Sequence, residues 1–151
     1  MLLNIDPILT PALLYALADM GHDDTVAVVD ANFTSAKLAG GKPVIRLPGL
    51  SLLRVCQAVL SVLPLDRALP YPAGFMRVCN EALTHRNAAQ QEVIAHLGRL
   101  NLAPEHIEPI ERFAFYDRVV GASLIVQTGD LRPYANFLFS KGLVTAYPAS
   151  T

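Results

Sequence analysis

Apolar residues recur along this chain at two alternating spacings, helical and strand-like, and the alternation itself predicts an α/β architecture. Thr10 and Pro11 followed by Ala12 to Gly21 predict a helix with an N-cap, a first-turn proline and a closing glycine. Thr25 to Val29 is an apolar run of strand length, the kind that is buried on both faces. A loop through Gly40-Gly41 and a short strand from Pro43 to Leu47 follow. Ser51 to Leu63 places Leu52, Leu53, Val55, Cys56, Val59, Leu60 and Leu63 at helical spacing, which predicts an amphipathic helix. Further along, Gly74 to Cys79 reads as a strand, Asn87 to Leu100 as a helix, Pro104 to Pro109 as a linker and Glu111 to Val120 as a short helix. Ser123 to Gly129 and Asn136 to Ser140 read as two more strands. The expected fold is a single three-layer α/β/α domain over residues 1–151, with a mixed central sheet.

Composition sharpens this picture in two places. Hydrophobic residues make up 52% of the 151 and charged ones 17%, an apolar content high enough to suggest that some of it faces other subunits. A formal charge of −1 with no basic stripe argues against nucleic acid as a partner, since such binding neutralises phosphates with Lys and Arg. Asp6 and Pro7 interrupt the first apolar run, and no window approaches the roughly 18 apolar residues of a membrane span. A cytoplasmic location without membrane insertion is the expectation. Cys56 and Cys79 sit in apolar surroundings and read as buried, reduced thiols rather than a disulfide or metal pair.

Polar side chains gather beside strand ends in three segments: His22 to Asp30, Glu111 to Arg118, and Thr128 to Asn136. Sites in open α/β sheets form at such ends. The inventory is an imidazole, carboxylates, guanidiniums, a phenol and an amide, with no P-loop, Gly-rich dinucleotide turn, GxSxG elbow or HExxH motif. This set suits proton transfer on a hydroxylated small molecule and calls for no cofactor and no metal. Blander readings stand beside it. Asp23 and Asp24 suit a turn; Arg112 and Arg118 could form a solvated helix face with Glu111 and Asp117. Phe113, Phe115 and Tyr116 suit core or interface, Tyr134 a packed turn, and His85, His96 and His106 the surface.

Asp6-Pro7 with the helix through Gly21-His22, then Asp30-Ala31-Asn32-Phe33, then Arg112 to Arg118, and finally Thr128-Gly129, Tyr134-Ala135-Asn136 and Lys141-Gly142 run in one order over nearly the whole chain. In these pieces the sequence resembles the ribose pyranase and L-fucose mutarotase family of sugar-anomer isomerases. The resemblance implies that His22 is the catalytic proton donor. It implies that Asp30 and Arg112 contact the sugar and that Tyr134, Ala135 and Asn136 supply further binding groups. It also implies a symmetric homo-oligomer, often a decameric ring, with sites completed by neighbouring subunits. The Arg112 to Tyr116 segment is similar to the fucose branch, whereas Pro133 to Asn136 is closer to the ribose branch. Asp23, Thr34 and Asp130 depart from the family pattern, where glycine, proline and glutamate are common. Interconverting anomers requires a group that gives and takes a proton near neutrality, a task suited to imidazole. Within this reading His22 moves the proton, and Asp30 orients the imidazole or holds sugar hydroxyls. The strand between the two fixes their separation. The alternatives are a ribose pyranase, a non-catalytic sugar-binding or transport-associated protein, and a purely structural assembly protein.

Overall fold

The computed structural model describes residues 1–146. Its elements are α1 (Pro11–Asp19), β1 (Thr25–Val29), α2 (Ser35–Leu38), β2 (Val44–Leu47), α3 (Leu52–Leu60), β3 (Ala73–Met76), α4 (Ala88–Arg99), β4 (Ile107–Ile110), α5 (Arg112–Gly121), β5 (Leu124–Thr128) and β6 (Phe137–Ser140), with a 3-10 turn at Pro104–His106. The strands form one mixed sheet in the order β2-β5-β1-β6-β3-β4. β6 runs antiparallel to both of its neighbours, β1 and β3, and every other pairing is parallel.

The period-2 alternation of the strands is buried on both sides of the sheet. Val26, Val28, Leu124, Val126, Phe137 and Phe139 enter a larger core with α1, α3 and α4. Ala27, Val29, Ile125 and Leu138 enter a smaller one against Phe115 and Val119 of α5, with Leu38 of α2 at its margin. The expected α/β/α layering is therefore what forms. Local chemistry starts the helices: Thr10 Oγ1 accepts from Leu13 N at 3.3 Å, Ser51 Oγ from Arg54 N at 3.3 Å, and Asn87 with Gln90 closes a capping box on α4.

The expected boundaries shift in several places, each for a physical reason. α1 ends at Asp19 with Met20 extended, so Gly21 does not cap it. Instead Gly21 N donates to Asp24 Oδ2 at 2.7 Å in the turn toward β1. β3 stops at Met76, and Cys79 lies beyond it, half-buried. Cys56 alone of the two thiols is fully buried, and burial pushes its pKa up. The segment read as a linker contains β4, which tolerates Pro109 because it is the last strand of the sheet. The Gly40-Gly41 loop is preceded by the short α2. Arg118 pairs through both terminal nitrogens with Glu108 of β4 at 2.7 Å, not with Glu111 or Asp117. Glu111 instead caps α5, its Oε2 accepting from Phe113 N at 2.8 Å and Ala114 N at 3.1 Å.

The loop from β5 to β6 is clamped from two sides. Asp130 Oδ2 accepts from Leu52 N at the start of α3 at 3.0 Å. Arg132 spans Asp130 and Glu92, reaching Asp130 Oδ2 at 2.7 Å and Glu92 Oε1 at 2.8 Å. The Arg132 guanidinium holds the Asp130 carboxyl down at about 2. Beside it, Gly129 lies so close to the Gly49 backbone that an added Cβ would sit 2.3 Å from Gly49 N.

Two stability predictions follow from this clamp. A carboxyl whose folded pKa lies below its unfolded value contributes stability above the unfolded pKa and loses it as pH falls through the folded one. Asp130→Asn is therefore expected to cost on the order of 2 kcal/mol above ~pH 4, a deficit that narrows toward pH 2. Urea titrations at pH 7 and pH 2.5 read it, and an equal deficit at both pH values contradicts it. Gly129→Ala is expected to cost about 1–3 kcal/mol, because the Gly49-Leu50 backbone must move to admit the methyl group. A denaturation midpoint equal to wild type contradicts that expectation.

Candidate functional site

The carboxyl edge of the sheet opens into a cleft of about 260 Å³, below the range typical of drug-sized ligands and suited to a small polar molecule. Asp30 follows β1, Met76 ends β3, Asn136 precedes β6 and Arg112 begins α5, and all four line the cleft together with Phe33, Tyr116, Leu131 and Tyr134. Because β6 is antiparallel, its beginning meets the ends of β1 and β3. That meeting joins residues 106 positions apart.

At the floor Asp30 and Asn136 bind each other reciprocally. Asp30 N donates to Asn136 Oδ1 at 2.9 Å, and Asn136 Nδ2 donates to Asp30 Oδ2 at 2.9 Å. Asn32 N donates to the other Asp30 oxygen at 2.9 Å. Burial raises the Asp30 pKa, and the Asn136 and Asn32 hydrogen bonds offset part of that rise.

The rim is cationic and aromatic. Arg112 Nε donates to Tyr116 Oη at 3.0 Å, and its guanidinium lies 5.6 Å from the Tyr116 ring centre and 5.7 Å from that of Phe113. Phe33 packs edge-on against Tyr116 at 5.6 Å. Tyr134 holds a left-handed backbone, φ 58°, which costs a non-glycine residue roughly 1–2 kcal/mol. The neighbouring Cys79 thiol, together with burial, raises the phenol pKa. The fragment Tyr134-Ala135-Asn136 thus delivers its first and third side chains to the cleft, while Ala135 is fully buried in the larger core and its side chain does not line it.

His22 is elsewhere. It precedes β1, at the opposite edge of the sheet, where Nε2 lies 2.8 Å from Oδ2 of buried Asp66. Asp66 N donates to Ser140 O at 3.0 Å, and Ser140 pairs with Thr25 at the start of β1. The five residues of β1 separate His22 from Asp30 by about 16 Å of strand. The expectation that Asp30 orients the imidazole is thus overturned within one copy of the chain, and Asp66 takes that place. Asp66 is 44 positions from His22, and no local spacing signals the pairing. The imidazole is about half exposed, its side chain 49% accessible. Asp23 keeps a left-handed φ of 69°, a conformation that Asp tolerates better than most residues. Asp23 N donates to Lys141 O and Lys141 N to Asp24 O, which fixes the turn that carries His22.

Among the described residues no group of three or more His, Cys, Asp or Glu side chains is placed to hold a metal ion. Nor is any helix long and apolar enough to cross a membrane.

Comparison with known proteins finds relatives over nearly the whole chain. An L-fucose mutarotase of Glaesserella parasuis is 34% identical over 144 residues, covering 95% of this chain and 96% of the relative. Among solved structures, a putative sugar binding protein, Atu2016, superposes with a TM-score of 0.88 at 37% identity, covering 95% of this chain and 97% of that one. The fucose mutarotase of Streptococcus pneumoniae in complex with L-fucose does so with a TM-score of 0.87 at 29% identity, covering 95% and 100%. Residues 3–144 match the model of the RbsD / FucU transport protein family, to which this chain belongs.

Proposed function

We propose that the protein is a monosaccharide mutarotase acting on L-fucose or a sugar of similar size and hydroxyl pattern. The observation that carries this reading is the cleft itself. A buried carboxyl-amide pair, a guanidinium and two phenols surround a space for one small ring, an arrangement that suits a neutral polyhydroxylated ligand. Similarity to proteins named fucose mutarotase supports the same substrate class.

Anomer exchange requires a proton on the ring oxygen and removal of one from the anomeric hydroxyl. The ring bond then breaks, the freed aldehyde rotates, and the steps reverse on the other face. Asp30 and Asn136 hold sugar hydroxyls in this scheme, Arg112 and Tyr134 donate to ring or hydroxyl oxygens, and His22 moves the proton. Asp66 Oδ2 accepts a hydrogen bond from Nε2–H, which fixes the ring and leaves Nδ1 to exchange a proton with substrate. General acid-base work of this kind contributes typically about 10² to 10⁴-fold.

His22 lies a strand's length from the cleft of its own chain, so the working site combines the cleft of one copy with His22 of another. Exposed Phe113, Leu131 and Tyr71 supply apolar surface for contact between copies, in a cytoplasmic ring-shaped homo-oligomer.

The test is NMR exchange between anomer signals for a panel including fucose and ribose. His22→Ala and Tyr134→Ala are each expected to lose at least about a hundredfold in exchange rate. Chains carrying one change, dissociated and reassembled with chains carrying the other, are expected to regain about a quarter of wild-type activity, the share of sites that randomly pair two intact halves. A sugar-binding protein without turnover predicts binding but no accelerated exchange. Mixtures as inactive as their components overturn the shared site, as does a wild-type monomer that is fully active.

A further inference from the structure

One buried amide has no part in the scheme above, yet it touches both backbone walls of the cleft. Gln90 is fully buried on the face of α4 that otherwise presents Ala89, Val93 and Leu97 to the core. An apolar residue would fill that position without needing partners, whereas a buried amide must find them. Gln90 finds them at the site: Nε2 donates to Met76 O at 2.8 Å and to Tyr134 O at 3.1 Å, and Oε1 accepts from Asn87 N at 3.1 Å. Asn87 Nδ2 meanwhile donates to Pro133 O at 2.9 Å. Two consecutive carbonyls of the loop, those of Pro133 and Tyr134, are thus held by the first turn of α4. The residue between them has the left-handed φ of 58°.

We infer that Gln90, assisted by Asn87, is a positioning residue of the sugar cleft, holding Tyr134 in its left-handed conformation so that the phenol and the Asn136 amide converge on the ligand. The inference rests on the sugar-binding reading of the cleft only for its functional consequence. Its mechanical claim concerns Tyr134 alone. A strained backbone angle persists only where its surroundings impose it, and here the imposing groups are two side-chain amides on one rigid helix. Without them Tyr134 relaxes toward an extended conformation and swings its ring away from Arg112. Small displacements of a binding group carry large penalties, up to about 10²-fold for roughly 1 Å.

The test uses the full chain with Gln90→Met, which keeps the shape and removes both donated bonds, and Asn87→Asp, which keeps the helix cap but cannot donate to Pro133 O. Tyrosines carry ¹³C, and the Tyr134 resonances are assigned by their loss in Tyr134→Phe. The Tyr134 ¹³Cα and ¹³Cβ shifts are expected to move toward extended values in both variants while the other tyrosines stay in place. Fucose binding measured by calorimetry is expected to weaken about tenfold in Gln90→Met. In a Tyr134→Ala background the same change is expected to alter binding less than about twofold, since a residue that acts through Tyr134 has nothing left to position. Unchanged Tyr134 shifts overturn the inference, and so does a binding loss that is the same in both backgrounds. Should Gln90→Met fail to fold, Asn87→Asp alone decides by its shifts. If the wild type binds neither fucose nor ribose, the proposed function fails, while the Tyr134 shifts still judge the role of Gln90.

Discussion

Burial of the central strands on both faces is the constraint from which the rest of the structure follows. Val26, Val28, Phe137 and Phe139 face one core while Ala27, Val29 and Leu138 face the other, leaving neither sheet face for polar chemistry. Charged and amide groups are therefore displaced to the strand ends, where backbone pairing stops and side chains can reach solvent. The antiparallel β6 makes one of those ends unusual. Its start, rather than its finish, lies beside the ends of β1 and β3, and so a loop rather than a strand terminus supplies Tyr134 and Asn136.

The same constraint separates His22 from the cleft. A strand sealed in the core is a rigid spacer, and groups at its two ends cannot meet within one chain. Each end is finished independently. Asp66 and the Lys141 backbone fix His22 and its turn, while Asn136 fixes Asp30. In the proposed reading, a head-to-tail ring of identical copies brings the His22 end of one copy to the cleft of its neighbour. Phe113 and Leu131 are exposed apolar side chains, and the proposed ring would bury such surface between copies.

Stability and function divide along the β5 to β6 loop. Asp130, Arg132 and Glu92 tie its first half to α3 and α4 through charge-assisted bonds. Gln90 and Asn87 tie its second half through neutral amides at a strained residue. The first set spends nothing on ligand geometry and stabilises the chain. Its neighbour holds an unfavourable backbone angle in place, as binding loops often require.

Much of the fold was legible because it is written in local periods. The continuous apolar run of Val26 to Val29 and the apolar residues three or four apart in Leu52 to Leu60 respond to strand and helix geometry irrespective of the rest of the chain, and a cap such as Thr10 acts within three residues. The order of short motifs also revealed the family and the polar groups Asp30, Arg112, Tyr134 and Asn136 of the cleft's lining. β4 escaped because Pro109 opposes a strand locally and only its place at the sheet edge permits one. Asp66 beside His22 escaped for the same kind of reason, as did the reach of Gln90 to Tyr134, the burial of Ala135 and the distance from His22 to the cleft. These depend on which segments the sheet brings side by side across 44 to 106 positions. The sequence by itself determined the elements, because side-chain periodicity is a property of near neighbours. Only the tertiary structure decided which ends share a site, because that depends on strand order and direction, set by packing over the whole sheet.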